Sequence, residues 1–206
     1  PSYQNPYNRR ADRGDCNFDV RHILNTSIVA TSPVKGSGLG AHLLGNWQIA
    51  PLIRALSGVP VNITTGTDVS LTGVGLDRPN YVSGVQAVNG TWGPNLQYLN
   101  PAAFAAAAPG TYGNLGRDVF RLPGQLQFDV SLSRIFALRE SFKLEVRAEA
   151  FNIINHTNMG SVPTSGIGLS ATESSGLSTS RSSATFGRFL SAGDPRLLQF
   201  AMKVYF

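Results

Sequence analysis

The sequence predicts an all-β fold: an antiparallel transmembrane β-barrel segment of about five long strands, part of a larger barrel. Three observations predict it. Apolar and polar residues alternate with period 2 in several runs, and short and long connections alternate between those runs. Only 14% of the 206 residues are charged, where a soluble domain carries about a quarter. A surface with so little charge is not all in water.

Strands are expected near residues 19–31, 46–65, 126–137, 141–155 and 196–206. The clearest pair is a hairpin. In its first arm Leu126, Phe128, Val130, Leu132 and Phe136 share a face, interrupted by Arg134, while Gln127, Asp129, Ser131 and Ser133 share the other. After the short turn Ala137 to Ser141, Phe142, Leu144, Val146, Ala148 and Ala150 alternate with Lys143, Glu145, Arg147 and Glu149. At the chain end Leu198, Phe200, Met202, Val204 and Phe206 alternate with Gln199, Ala201, Lys203 and Tyr205. Upstream, Trp47, Ile49, Ile53 and Ala55 alternate with Gln48, Ala50, Leu52 and Arg54, and Val59 to Thr65 are expected to carry this strand past a kink at Gly58 and Pro60. The run from Asp19 to Thr31 is less regular, with Val20, Leu24 and Ile28 on one parity. Helix is confined to Asn100 to Ala107, where Asn100 can cap, Pro101 suits the first helical position and Pro109-Gly110 ends the turn.

The connections carry direction. Residues 1–17 form a leading loop, the links Ser32 to Leu44 and Ala137 to Ser141 are short, and residues 66–125 and 159–195 are long and rich in Gly, Ser, Thr, Asn and Pro. All long segments therefore leave the same end of the sheet. Outer-membrane barrels have short periplasmic turns and long extracellular loops, so a chain ending on the periplasmic side places 1–17, 66–125 and 159–195 outside the cell. Trp47, Phe136, Phe142, Tyr205 and Phe206 fall near strand ends, where amphipathic rings suit the headgroup level.

Other chemistries find little support. No apolar run approaches the length of a transmembrane helix, and no leader precedes Pro1, so the chain is taken as a fragment. The net charge of +5 is carried mostly by arginines scattered from Arg9 to Arg196 without a basic stripe, so a nucleic-acid partner is not expected. Cys16 has no partner for a disulfide or metal, and His22, His42 and His156 are dispersed. No catalytic, metal or cofactor site is expected. Gly36, Gly38 and Gly40 lack the strand-to-helix setting of a phosphate cradle and are expected to be a flexible turn. The tripeptide Arg13-Gly14-Asp15 and the sequons at Asn25, Asn62, Asn89 and Asn155 are expected to carry no recognition.

The phrases FDVRHILNTSIV, LLGNWQIAPLIRALSGVPVNI, LNPAAF, GTYGNLGRDVFRLPGQLQFDVSLSRIF, LEVRAEAFNIINHTN and FGRFLSAGDPRLLQFAMKVYF resemble the barrel ends of Oar-like TonB-dependent receptors, over nearly the whole chain from about Arg10 to Phe206. The resemblance implies a barrel of about 22 strands closed around an amino-terminal plug. It also implies ligand import across the outer membrane, driven through TonB by way of a plug that this chain lacks. Gln199, Val204 and Phe206 resemble the terminal signal by which the barrel-assembly machinery reads its clients, with Ala201 where Gly is usual. The partners so implied are outer-membrane lipid, the assembly machinery, the rest of the barrel and plug, TonB and an unidentified ligand. Lys143, Glu145, Arg147 and Glu149 are expected to face the lumen as a ladder of alternating charge, its same-face neighbours about 7 Å apart. The alternatives are a non-energised porin-like barrel and a soluble β-sandwich adhesin or binding module.

Overall fold

The computed structural model describes residues 3–34, 36, 38–93, 95–139, 142–160 and 176–206. The chain divides into two compact units. One comprises His22–Leu56, Gln125–Asn158 and Asp194–Phe206, and the other comprises Pro1–Arg21, Ser57–Gly124 and Met159–Gly193.

The first unit is one antiparallel sheet. Its strands are β1 (Ile23–Ser27), β2 (Ala30–Thr31), β3 (Trp47–Leu56), β8 (Gln125–Ala137), β9 (Lys143–Phe151) and β10 (Leu197–Tyr205), paired in the order β1-β3-β8-β9-β10 with β2 also on β3. The four complete strands have 10, 13, 9 and 9 residues, close to the roughly 9–11 that a tilted strand needs to cross a bilayer. The register aligns the faces across the whole sheet. Ile49 lies opposite Leu132, Leu132 opposite Ala148 and Ala148 opposite Phe200, so the alternation in each strand adds to a single continuous apolar surface.

The first strand is shorter than the expected 19–31 and is interrupted at Ile28 and Val29. Pro51 explains the gap. The register that pairs Ser27 with Leu52 and Ala30 with Ile49 sets Ile28 against Pro51, whose carbonyl accepts from Ile28 N at 3.1 Å but which has no N–H to return. Residues near 152–155 also leave the expected strand, because Asn152 and Asn155 adopt positive φ of 49° and 54° and turn the chain, a conformation asparagine tolerates.

The second unit contains two small sheets, β4 (Pro60–Val61) with β7 (Phe120–Arg121), and β5 (Asn80–Tyr81) with β6 (Phe104–Ala105). Val59 to Thr65 therefore do not prolong β3. At Gly58 a Cβ would fall 1.6 Å from Leu122 O, and this close approach is possible only because glycine stands there. Val59, Val61 and Ile63 then point into a core with Leu99, Ala103, Phe104, Leu115, Phe186 and Phe189. Val20 packs against the same core, and so is not part of the first strand. Asn100 caps as expected, its side chain accepting from Ala102 N at 3.1 Å, but the helix is a single 3-10 turn, Pro101–Ala103, that runs directly into β6.

Between β2 and β3, where a flexible turn is expected, lies a six-residue helix, α1 (Leu39–Leu44).

Candidate functional site

Among the described residues, charged side chains are linked to one another on the polar face of the sheet and in the loop unit. On β9, Glu145 is buried to 8% exposure and is held from two sides. Tyr205 Oη donates to its Oε2 at 2.7 Å across the β9–β10 ladder, and Arg147 Nη2 meets Oε1 at 2.7 Å from two residues along the strand. Arg147 also approaches Glu149 at 3.7 Å, so Glu145, Arg147 and Glu149 form one linked chain of charge. Lys143 stands opposite Tyr205, and Lys203, opposite Glu145, places its Nζ 4.5 Å from the Tyr205 ring centroid. The parity of the sequence identifies the ladder on β9. It does not identify Tyr205 and Lys203 as its partners, because that depends on the register of a strand some fifty residues downstream.

Of the terminal residues, Gln199 lies opposite Glu149 on the polar face, Val204 lies opposite Leu144 on the apolar face, and Phe206 is fully exposed beyond the end of β10.

The loop unit is fastened by arginines. Arg78 is 3% exposed at its side chain and meets Asp12 Oδ1 at 2.5 Å, while its Nε and Nη2 donate to the carbonyls of Leu115 and Ala11 at 2.8 Å each. Arg121 bonds both Asp15 and Asp19 and donates to Gly58 O at 2.9 Å. Arg181 Nε donates to Phe104 O at 2.7 Å, and Arg188 Nε to Gln97 Oε1 at 3.2 Å. Three distant segments of chain are thereby tied together. These arginines are engaged inside the unit, and so is Asp15 of the Arg13-Gly14-Asp15 tripeptide, which is bonded to Arg21 and Arg121.

The electrostatics of this unit follow from those bonds. The Arg121 hydrogen bond holds the Asp15 carboxyl below its ordinary value. Burial acts to raise Asp12, but the bonds from Arg78 and Gln4 N outweigh it and hold it low. Asp68 is lowered chiefly by the backbone N–H of Gly73, in a turn where Thr72 N also donates to it. Asp118 goes the other way, pushed up by burial against the opposing effect of Arg117. Burial also pushes the Tyr98 hydroxyl up to about 12. Its ring packs against Trp92 and Phe189 at 6.1 and 5.1 Å between centroids. Among the described residues no group of three or more His, Cys, Asp or Glu side chains is placed to hold a metal ion.

The comparisons with known proteins agree with the sheet. Residues 1–199 match the family model described as an outer membrane beta barrel domain. No curated protein and no solved structure matches the chain. With nearly the whole sequence covered by that one model, and its long strands in a single antiparallel sheet whose apolar face is interrupted at Arg134, the chain belongs to the outer membrane β-barrel domain family and resides in the outer membrane.

Proposed function

We propose that this chain is the carboxy-terminal barrel portion of a TonB-dependent outer-membrane receptor that imports a ligand, with no enzymatic step of its own. The observation that carries the proposal is the loop unit. Its described residues from several separate segments fold around a common core. A folded body on the extracellular side is what a receptor needs to select a ligand, whereas a passive pore needs only an open mouth. The resemblance to Oar-like receptors points the same way. In this reading Lys143, Glu145, Arg147 and Glu149 line the lumen, where alternating charge suits a hydrated interior closed by a plug. The apolar face meets lipid. Gln199, Val204 and Phe206 serve the barrel-assembly machinery, and TonB acts through the plug. Membership of the barrel family removes the soluble sandwich and leaves the porin as the competing account.

The two accounts differ in conductance and in partner. The whole protein, purified in detergent and inserted into planar bilayers, is expected to show no large steady conductance and to bind the periplasmic domain of TonB. A stable ohmic pore without TonB binding would establish the porin.

A further inference from the structure

The helix α1 occupies an unusual position for a link between strands. Arg134 lies on the apolar face of β8, between Leu132 and Phe136, and its guanidinium stacks over the rings of Trp47 at 5.3 Å and Phe136 at 4.5 Å. Its terminal nitrogens donate to the carbonyls of His42, by Nη2, and of Leu43, by Nη1 at 3.1 Å. The indole Nε1 of Trp47 donates to the same Leu43 carbonyl at 3.0 Å. The end of α1 is therefore drawn over the apolar side of the sheet, not over its polar side.

A helix leaves its last four carbonyls without intrahelical partners, and in α1 all four are occupied. Ala41 O accepts from Gly45 N at 2.9 Å, His42 O and Leu43 O accept from Arg134, and Leu44 O accepts from Ser32 Oγ at 2.5 Å. Gly45 permits this closure, since a Cβ there would lie 2.5 Å from Ala41 O and 3.0 Å from Val34 O. The apolar side chains of the helix are nonetheless turned outward, with Leu39, Leu43 and Leu44 exposed to 78, 60 and 61%. In water the bare leucines are costly, and the satisfied carbonyls gain little over solvation. At a lipid interface the arrangement is favourable, since the leucines enter the acyl boundary and the satisfied carbonyls lower the cost of bringing the helix end toward hydrocarbon.

We propose that α1 lies in the headgroup layer of the periplasmic leaflet as a short interfacial helix, held against the lipid-facing surface of the barrel by Arg134 and Trp47, with phospholipid as its partner. Lipid is the chosen occupant because the helix end is continuous with a sheet face that already meets lipid. The proposal rests on the membrane reading of that face and on the periplasmic placement of the short links.

Nitroxide labels test it in the whole barrel reconstituted in phosphatidylethanolamine–phosphatidylglycerol vesicles, in a Cys16→Ser background. Single cysteines replace Leu43, Leu132 as the lipid reference and Ser83 as the aqueous reference. The expected result is that collision with oxygen, relative to collision with a water-soluble nickel chelate, is several-fold higher at Leu43 and Leu132 than at Ser83. Arg134→Gln should lower the ratio at Leu43 and leave Leu132 unchanged. A high ratio at Leu132 with an aqueous ratio at Leu43 overturns the interfacial helix alone. An aqueous ratio at Leu132 overturns the membrane reading beneath it. A ratio at Leu43 that survives Arg134→Gln overturns the role given to Arg134.

Discussion

The sheet and the loop unit are made from the same chain and bury opposite things. In the loop unit Ile63, Leu99, Ala103 and Phe104 are almost wholly buried, as in any water-soluble core. In the sheet Leu132, Leu198, Phe200 and Met202 are exposed to 38, 60, 78 and 71%, while Glu145 is among the buried residues. Hydrophobic burial is a statement about which solvent is excluded, and a contiguous apolar face of this extent is not left in water by a soluble protein. The two units therefore have different solvents. The loop unit is built to exclude water, and the sheet is built to be wetted by lipid on one face and by water on the other.

The strongest way to break this contrast is to attack the water-excluded core. Phe104 packs edge-on to Phe120 and Phe186 at 5.7 and 5.5 Å between centroids. Phe104→Ala should cost the loop unit about 3–5 kcal/mol, with amide exchange accelerated around residues 98–105 and unaltered in β8 and β9. Equal acceleration in both would show that the units are not separable in stability.

The next test concerns the lipid face. Leu132→Arg should cost about 2–4 kcal/mol in assembly if this residue sits near the bilayer midplane, whereas Ser131→Arg, on the opposite face and across from Glu149, should be nearly neutral. Folded and unfolded fractions are separated by heat modifiability on gels. Equal tolerance of both substitutions would mean that neither face is in hydrocarbon.

A smaller effect separates the units by acid. Asp12, Asp15 and Asp68 are held below the ordinary carboxyl value of 3.8, so the stability they contribute is present above that value and is lost as pH falls through their folded values. Asp118 is raised, so its contribution is present below the unfolded value and lost as pH rises through the folded one, which offsets part of the acid loss. With three groups against one, the protection of loop-unit amides, taken relative to their intrinsic exchange rate at each pH, should fall below about pH 3.8 before that of the sheet does. Loop protection that stays constant from neutral pH to below that value would remove these carboxylates from the account.

What the sequence made legible was the part governed by local period. The alternation in 126–136, 142–150 and 198–206 identified the faces of β8, β9 and β10, because strand geometry turns successive side chains outward and inward without reference to anything distant. The same alternation misled at Val59, Val61 and Ile63. Period 2 shows that a face is apolar but not which core it enters, and that depends on the approach of Leu122 to Gly58, more than sixty positions away. The loop core escaped notice for a similar reason. Its aromatics, Trp92, Tyr98, Phe104, Phe120, Phe186 and Phe189, are spread through segments that look like linkers, and their number was the available sign. Helix α1 was hidden by its glycines and by its dependence on Arg134, ninety positions downstream of the carbonyls it satisfies. Of the candidate site, the β9 ladder was readable and its hydrogen bond from Tyr205 was not.

The central claim is that one face of the sheet meets lipid and the other meets water. Single cysteines placed at each residue from Leu126 to Phe136, labelled with an environment-sensitive fluorophore in the whole barrel in vesicles, test it most directly. The account predicts quenching with period 2. Lipid-borne quenchers should act at Leu126, Phe128, Val130 and Leu132, and aqueous quenchers at Gln127, Asp129, Ser131 and Ser133. Uniform quenching by the aqueous reagent at both sets, with no alternation, would contradict it.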